Sequence, residues 1–415
     1  MESRTFIKMA NATQSDIQRV RDPRLDFYRG IAMLIIFTSH TPGNFWGDWI
    51  PGRFGFSDAT EIFVFCSGMA SAIAFGGSYD KRGWMLGTAR VLFRCWQVYW
   101  AHICLFLAIA MMLVTIDLFE FEKNYVNSLN LGRFFNDTKD QLFGLLTLTY
   151  VPNYFDILPM YIAILLMMPL IMALSTVHVS LVFAFCAALW FIAQTRIMIA
   201  LGIEQFAVSL PAANYSDRPW FFNPFAWQLV FFTGFALVRG WIPRLPVNTV
   251  LIVLASIIVL GMMTVSHVAM REWGFEWARD WRTANTEFVT KTDFGIARYT
   301  HFLALAYLAY AVAGDGGRRL IITGQSLGAN AVKTLVTVLT KVGQQSLAVF
   351  IVSMMLSVFV GFLLTETGAT ADDVTTIKSH TYVAAGNILG WVFLIFIAYT
   401  VAWFKSQPWR KSATG

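Results

Sequence analysis

The sequence predicts an all-α integral membrane protein: a single polytopic bundle of about ten transmembrane helices with one short re-entrant or interfacial segment. Three observations predict it. Charged residues make up 13% of the 415-residue chain, against about 25% in soluble domains. Apolar residues reach 57% and come in blocks near the roughly 20 residues that a helix needs to cross a bilayer. Basic residues crowd alternate connecting segments, as the positive-inside rule describes. This composition argues against a soluble enzyme and against a nucleic-acid partner. The net charge of +6 follows from orientation in a lipid bilayer.

Residues 1–27 are polar and lack the short apolar core of a cleavable signal, so they read as a cytoplasmic tail. The transmembrane domain runs over 28–404, and 405–415 form a second cytoplasmic tail. Its spans fall near 28–46, 59–76, 96–118, 155–174 and 177–200 in the first half. They continue near 224–241, 248–268, 296–313, 344–365 and 383–404. Residues 141–151 are apolar but too short to cross, which makes them the re-entrant or interfacial piece. With both termini inside, 19 of the 31 Lys and Arg fall on the cytoplasmic side, and that bias fixes the orientation. Loops 119–154 and 269–295 then face outward. All four cysteines lie in or beside spans, which argues against a disulfide framework.

The first span opens with Arg29 and closes near His40. Eleven residues amount to about 20° beyond three turns, so both side chains share one helix face, ~16 Å apart along the axis. Alone, Arg29 fits a snorkelling anchor and His40 a hydrogen-bonded interfacial ring. The second span begins with Asp58 and Glu61, on neighbouring turns. If the two spans form a hairpin, Glu61 starts near the depth where His40 ends. A carboxylate on one imidazole nitrogen fixes the tautomer and leaves the other nitrogen to take a proton. Asp58 also suits the cap of that helix.

The stretches "RDPRLDFYRGIAMLIIFTSHTPGNFW" and "FGFSDATEIFVFCSGMASAIAFGG" resemble the opening of the OpgC family, within the transmembrane acyltransferase superfamily. The similarity continues in "DILPMYIAILLMMPL" (156–170), "NPFAWQLVFFTG" (223–234), "RYTHFLALAYLAY" (298–310) and "GQQSLAVF" (343–350). Arg29 and His40 match the superfamily's arginine, ten intervening residues and histidine. The resemblance implies an inner-membrane enzyme with no permanently bound cofactor. It would move a succinyl group from cytoplasmic succinyl-CoA to hydroxyls of periplasmic glucans, with acetyl transfer as the alternative. His40, oriented by Glu61 or Asp58, would act as general base or carry a transient acyl group.

Further residues suit donor or acceptor. Arg29, Arg90, Arg94, Arg318, Arg319 and Lys333 are candidates for the phosphates of the acyl-CoA, or simply belong to the positive-inside pattern. Asp156, Arg298, His301 and Trp281 lie toward the outer side, where hydroxyls and aromatic faces meet a sugar; Trp281 equally fits the aromatic belt. "GQSLG" at 324–328 fits the nucleophile-elbow pattern, but no α/β sheet surrounds it. His102, His178, His267 and His380 read as structural, and no metal site is implied. Two readings from other classes stand beside the enzyme: a transporter of a small anion or sugar, and a non-enzymatic scaffold.

Overall fold

The structure, a computed structural model, describes residues 22–369 and 376–413. The predicted tail before residue 22, with Arg4, Lys8, Arg19 and Arg21, lies outside the described residues. Every named element is helical, and among the described residues the one extended pairing is an isolated bridge between Pro211 and Pro219.

Helix α1 (Pro23–His40) starts earlier than the predicted span at 28. Asp22 caps it, accepting from the Arg24 N–H at 3.1 Å, and Pro23 sits where a missing N–H costs nothing. It stops at His40 rather than at residue 46. Thr41 precedes Pro42 and takes extended backbone, and Gly43 follows with φ 73°. His40 is therefore the last helical residue.

Helix α2 (Ala59–Ser71) runs through a π turn at Ala72–Gly76 into α3 (Gly77–Asp117), which breaks at Gly83 with φ 77°. The connection 77–95 between the two predicted spans is thus helical apart from that turn. Helix α4 (Thr138–Thr147) is the short piece expected at 141–151. Then come α5 (Ile157–Val177), α6 (Val179–Ile192), α7 (Pro224–Arg239), α8 (Thr249–Met263) and α9 (Glu276–Ala284). The chain ends with α10 (Ile296–Ala313), α11 (Leu327–Gln344), α12 (Ser346–Glu366) and α13 (Ile377–Lys405).

Among the described residues, five helical stretches are long and apolar enough to cross a membrane: Ala59–Asp117, Ile157–Val177, Thr249–Arg271, Ser346–Glu366 and Ile377–Arg410. Helices α6 and α7 are apolar but shorter. The outward faces of α8 and α13 stay exposed, with Ile257 at 61% and Leu389 at 67%, and such faces need lipid rather than water over them. One apolar core runs from Ala32 to Ala398. A Cβ on Gly68 would lie 1.9 Å from the Phe231 carbonyl oxygen, and one on Gly234 would lie 2.3 Å from that of Phe65. The α2 and α7 backbones therefore touch, as small residues allow between membrane helices. That crossing fixes the head of α2, where Asp58 and Glu61 stand.

Orientation is open to a direct test. Leu320→Cys is expected to react with an impermeant thiol reagent only from the cytoplasmic side, and Thr283→Cys only from outside. Reaction of residue 320 from outside would reverse the assignment drawn from the Lys and Arg distribution.

Candidate active site

Where α1 ends, four other helices begin. Tyr154 and Asp156 precede α5, Asn223 precedes α7, Asp58 caps α2, and the segment 291–295 leads into α10. Contacts string these ends together in an open arc from His40 to Asp58. Tyr154 faces His40; Asp156 accepts from the Phe221 N–H at 3.1 Å; the Phe222 ring lies 5.6 Å from Lys291 Nζ; and Lys291 pairs with Asp58 at 2.6 Å.

His40 is oriented by its own helix. Its Nδ1 lies 2.8 Å from the Ile36 carbonyl oxygen, one turn back, with Ser39 Oγ at 3.1 Å. A carbonyl can only accept, so Nδ1 carries the hydrogen and Nε2 the lone pair. Nε2 makes no hydrogen bond to the described residues. Tyr154 meets the imidazole edge to face, with centroids 5.4 Å apart. Its hydroxyl lies 2.5 Å from Ser357 Oγ and donates toward the Met354 carbonyl at 3.0 Å. Tyr154 also has φ 87°, a conformation that costs a bulky residue free energy and persists only where surroundings enforce it.

The expected carboxylate–imidazole contact is absent among the described residues, because both acids are committed elsewhere. Glu61 accepts from the Asp58 N–H at 2.7 Å, which closes a capping box, and its other oxygen pairs with Arg298. Asp58 accepts from the Thr60 N–H at 2.7 Å and from Lys291 at 2.6 Å. Glu61 is fully buried and Arg298 nearly so, so their pair is internal. Asp58 and Lys291 act on His40 through their charges alone, and those charges oppose each other. Burial alone would push the Asp58 carboxyl up, but the charges of Lys291 and Arg298 outweigh it and hold it below the ordinary carboxylate range.

Three of the four acceptor candidates are buried with protein partners. His301 Nδ1 lies 2.7 Å from Ser57 Oγ and accepts from the Ser57 N–H at 3.3 Å. Its ring packs so closely on the chain that a Cβ on Gly55 would sit 2.2 Å from Nε2. Arg298 holds Glu61, and Asp156 ties the head of α5 to Phe221. As placed, these three brace the site. Trp281 lines a cavity of about 490 Å³ with Phe56, Met262, Val265, Trp277 and Phe288.

Arg29 is not a snorkelling anchor: it is buried, and its Nη2 donates to the Cys66 carbonyl at 2.6 Å. Its Nε has no partner among the described residues. The other donor candidates do not converge. Arg90 donates to Ser78 Oγ at 2.5 Å, Arg94 to Gln97 at 3.2 Å, and Arg319 to the carbonyls that end α10; Arg318 and Lys333 are exposed. Ser326 of the elbow-like motif is the exposed cap of α11, accepting from the Ala329 N–H at 3.2 Å. Ser326→Ala is therefore expected to cost at most the order of ~1 kcal/mol of a lost cap and no activity. Abolished activity at normal membrane abundance would restore it as a nucleophile.

Lys291 and Tyr154 are the polar members of this arc that the sequence pattern did not single out. Lys291 had a signal, since a lysine in an outward loop runs against the positive-inside bias. Tyr154 had only its position two residues before the helix-leading Asp156.

A family model described as OpgC protein matches residues 21–406. No curated protein and no solved structure matches the chain.

Proposed function

Because the chain belongs to the OpgC family, we propose that it is a transmembrane O-acyltransferase that moves a succinyl group from cytoplasmic succinyl-CoA to hydroxyls of periplasmic glucans. In this reading it sits in the inner membrane with ten crossings and both termini cytoplasmic. The observation that carries the reading is His40, whose Nδ1 is held by the Ile36 carbonyl while Nε2 has no hydrogen bond to the described residues.

A sugar hydroxyl is a poor nucleophile at neutral pH. As its oxygen attacks the thioester carbonyl carbon, its proton passes to His40 Nε2, and the imidazolium that forms keeps its Nδ1–H on Ile36. Collapse expels the thiolate, which recovers that proton. An unperturbed imidazole is mostly neutral at pH 7 and suits this exchange. Arg29 lies on the same face of α1, toward its cytoplasmic end, and its Nε, without a partner among the described residues, supports a contact with the donor.

Mass spectrometry of periplasmic glucans from cells with and without the protein tests the reading. Succinyl adducts that depend on the protein are expected. An acetyl adduct would change the acyl group, and unmodified glucans in both would overturn the transferase.

A further inference from the structure

We propose that Lys291 is a catalytic residue of this transfer, donating a hydrogen bond to the thioester carbonyl oxygen as it becomes an oxyanion. The proposal rests on the acyl-transfer reading above.

Two cations meet the acids at the head of α2, and they are placed differently. The Arg298 side chain is 11% exposed and committed to the fully buried Glu61. That of Lys291 is 26% exposed and paired with Asp58. An ammonium has three N–H donors, and Asp58 takes the one hydrogen bond Lys291 donates to the described residues. The remaining donors face away from that partner. The site of Lys291 is built on both sides of the side chain. The Trp227 indole N–H donates to the Lys291 carbonyl at 2.9 Å, the Phe222 ring lies under Nζ, and Asp58 is itself fixed as the cap of α2. Contacts running from Tyr154 through Asp156 and Phe221 to Phe222 link His40 to Lys291, and Lys291 is near enough for its charge to act on the imidazole. A base and a fixed cation held near each other are what addition to a carbonyl requires.

The step balances. The C–O bond to the sugar forms while the carbonyl π pair moves onto oxygen, where Lys291 meets it with an N–H. His40 Nε2 takes the hydroxyl proton. The returning pair re-forms C=O and breaks the C–S bond, and the thiolate leaves with the proton from His40. Lys291 stays protonated throughout.

Loss of one oxyanion donor typically lowers kcat by about 10²–10³-fold. Lys291→Met in the purified full-length protein is expected to show that loss, with KM for acyl-CoA and for glucan within about threefold, against the same preparation of wild type. Removing the lysine also leaves Asp58 unpaired, so the Lys291→Met/Asp58→Asn double variant separates the roles. A lysine that only neutralises Asp58 would let the double variant recover, and the proposal would fail. Persisting loss supports an N–H at the reacting oxygen. Lys291→Cys in a Cys104→Ser background, aminoethylated to restore an ammonium, is expected to regain much of the rate. Active wild type with unimpaired Lys291→Met overturns this assignment alone, whereas inactive wild type overturns the acyltransferase reading beneath it.

Discussion

Replacing His40 with alanine is expected to lower acyl transfer by about 10²–10⁴-fold, the usual contribution of a general base, while the protein still inserts and binds acyl-CoA. The ring stands at the last residue of α1 and bonds only within its own helical turn and to Ser39. Its loss therefore leaves no buried partner from another helix unsatisfied. Packing changes mainly at Tyr154, whose hydroxyl keeps Ser357 and Met354. Transfer rates on purified variants, with donor affinity measured alongside, check this. A His40→Ala protein that transfers at the wild-type rate would reduce the ring to a helix terminus.

Glu61→Ala should instead act on stability. It leaves Arg298 buried without its carboxylate and removes the side chain that closes the capping box of α2. Breaking a buried ion pair from one side costs about 3–5 kcal/mol, so lower thermal stability in detergent and lower membrane abundance are expected. The Glu61→Leu/Arg298→Met double variant should recover most of that loss, because the cost lies in the orphaned charge rather than in the missing pair. A Glu61→Ala protein as stable as wild type but inactive would return Glu61 to the chemistry.

Much of the fold was legible because membrane helices announce themselves by apolar runs and caps. Ile296–Ala313 matches the predicted 296–313, and the cap at Asp58 follows from its position before an apolar run. The end of α1 was misplaced because Phe45 and Trp46 extend the predicted span beyond the turn, while the Thr41-Pro42 step decides where the helix stops. The segment between the second and third predicted spans is helical, with one glycine, Gly83, supplying the turn.

The site was legible residue by residue but not in its pairings. His40, Asp58, Glu61, Arg298 and His301 all reach one region. Yet sequence spacing places groups along a helix and does not say which neighbouring helix head will supply their partners. Lys291 and Arg298 enter from a segment more than 200 residues away from α2 and take the two acids. A backbone carbonyl one turn back then takes the orienting role for which no side chain was left.

The central claim is that one acyl group passes from a donor inside to a hydroxyl outside at His40. Purified protein in sealed vesicles, with isotopically labelled succinyl-CoA on the face of the α1 N-terminus and glucan on the other, measures this directly. Label in the glucan with wild type, and none above background with His40→Ala, is the expected result. Glucan or acyl-CoA that crosses the bilayer with no label transferred, or undiminished labelling with His40→Ala, would contradict it.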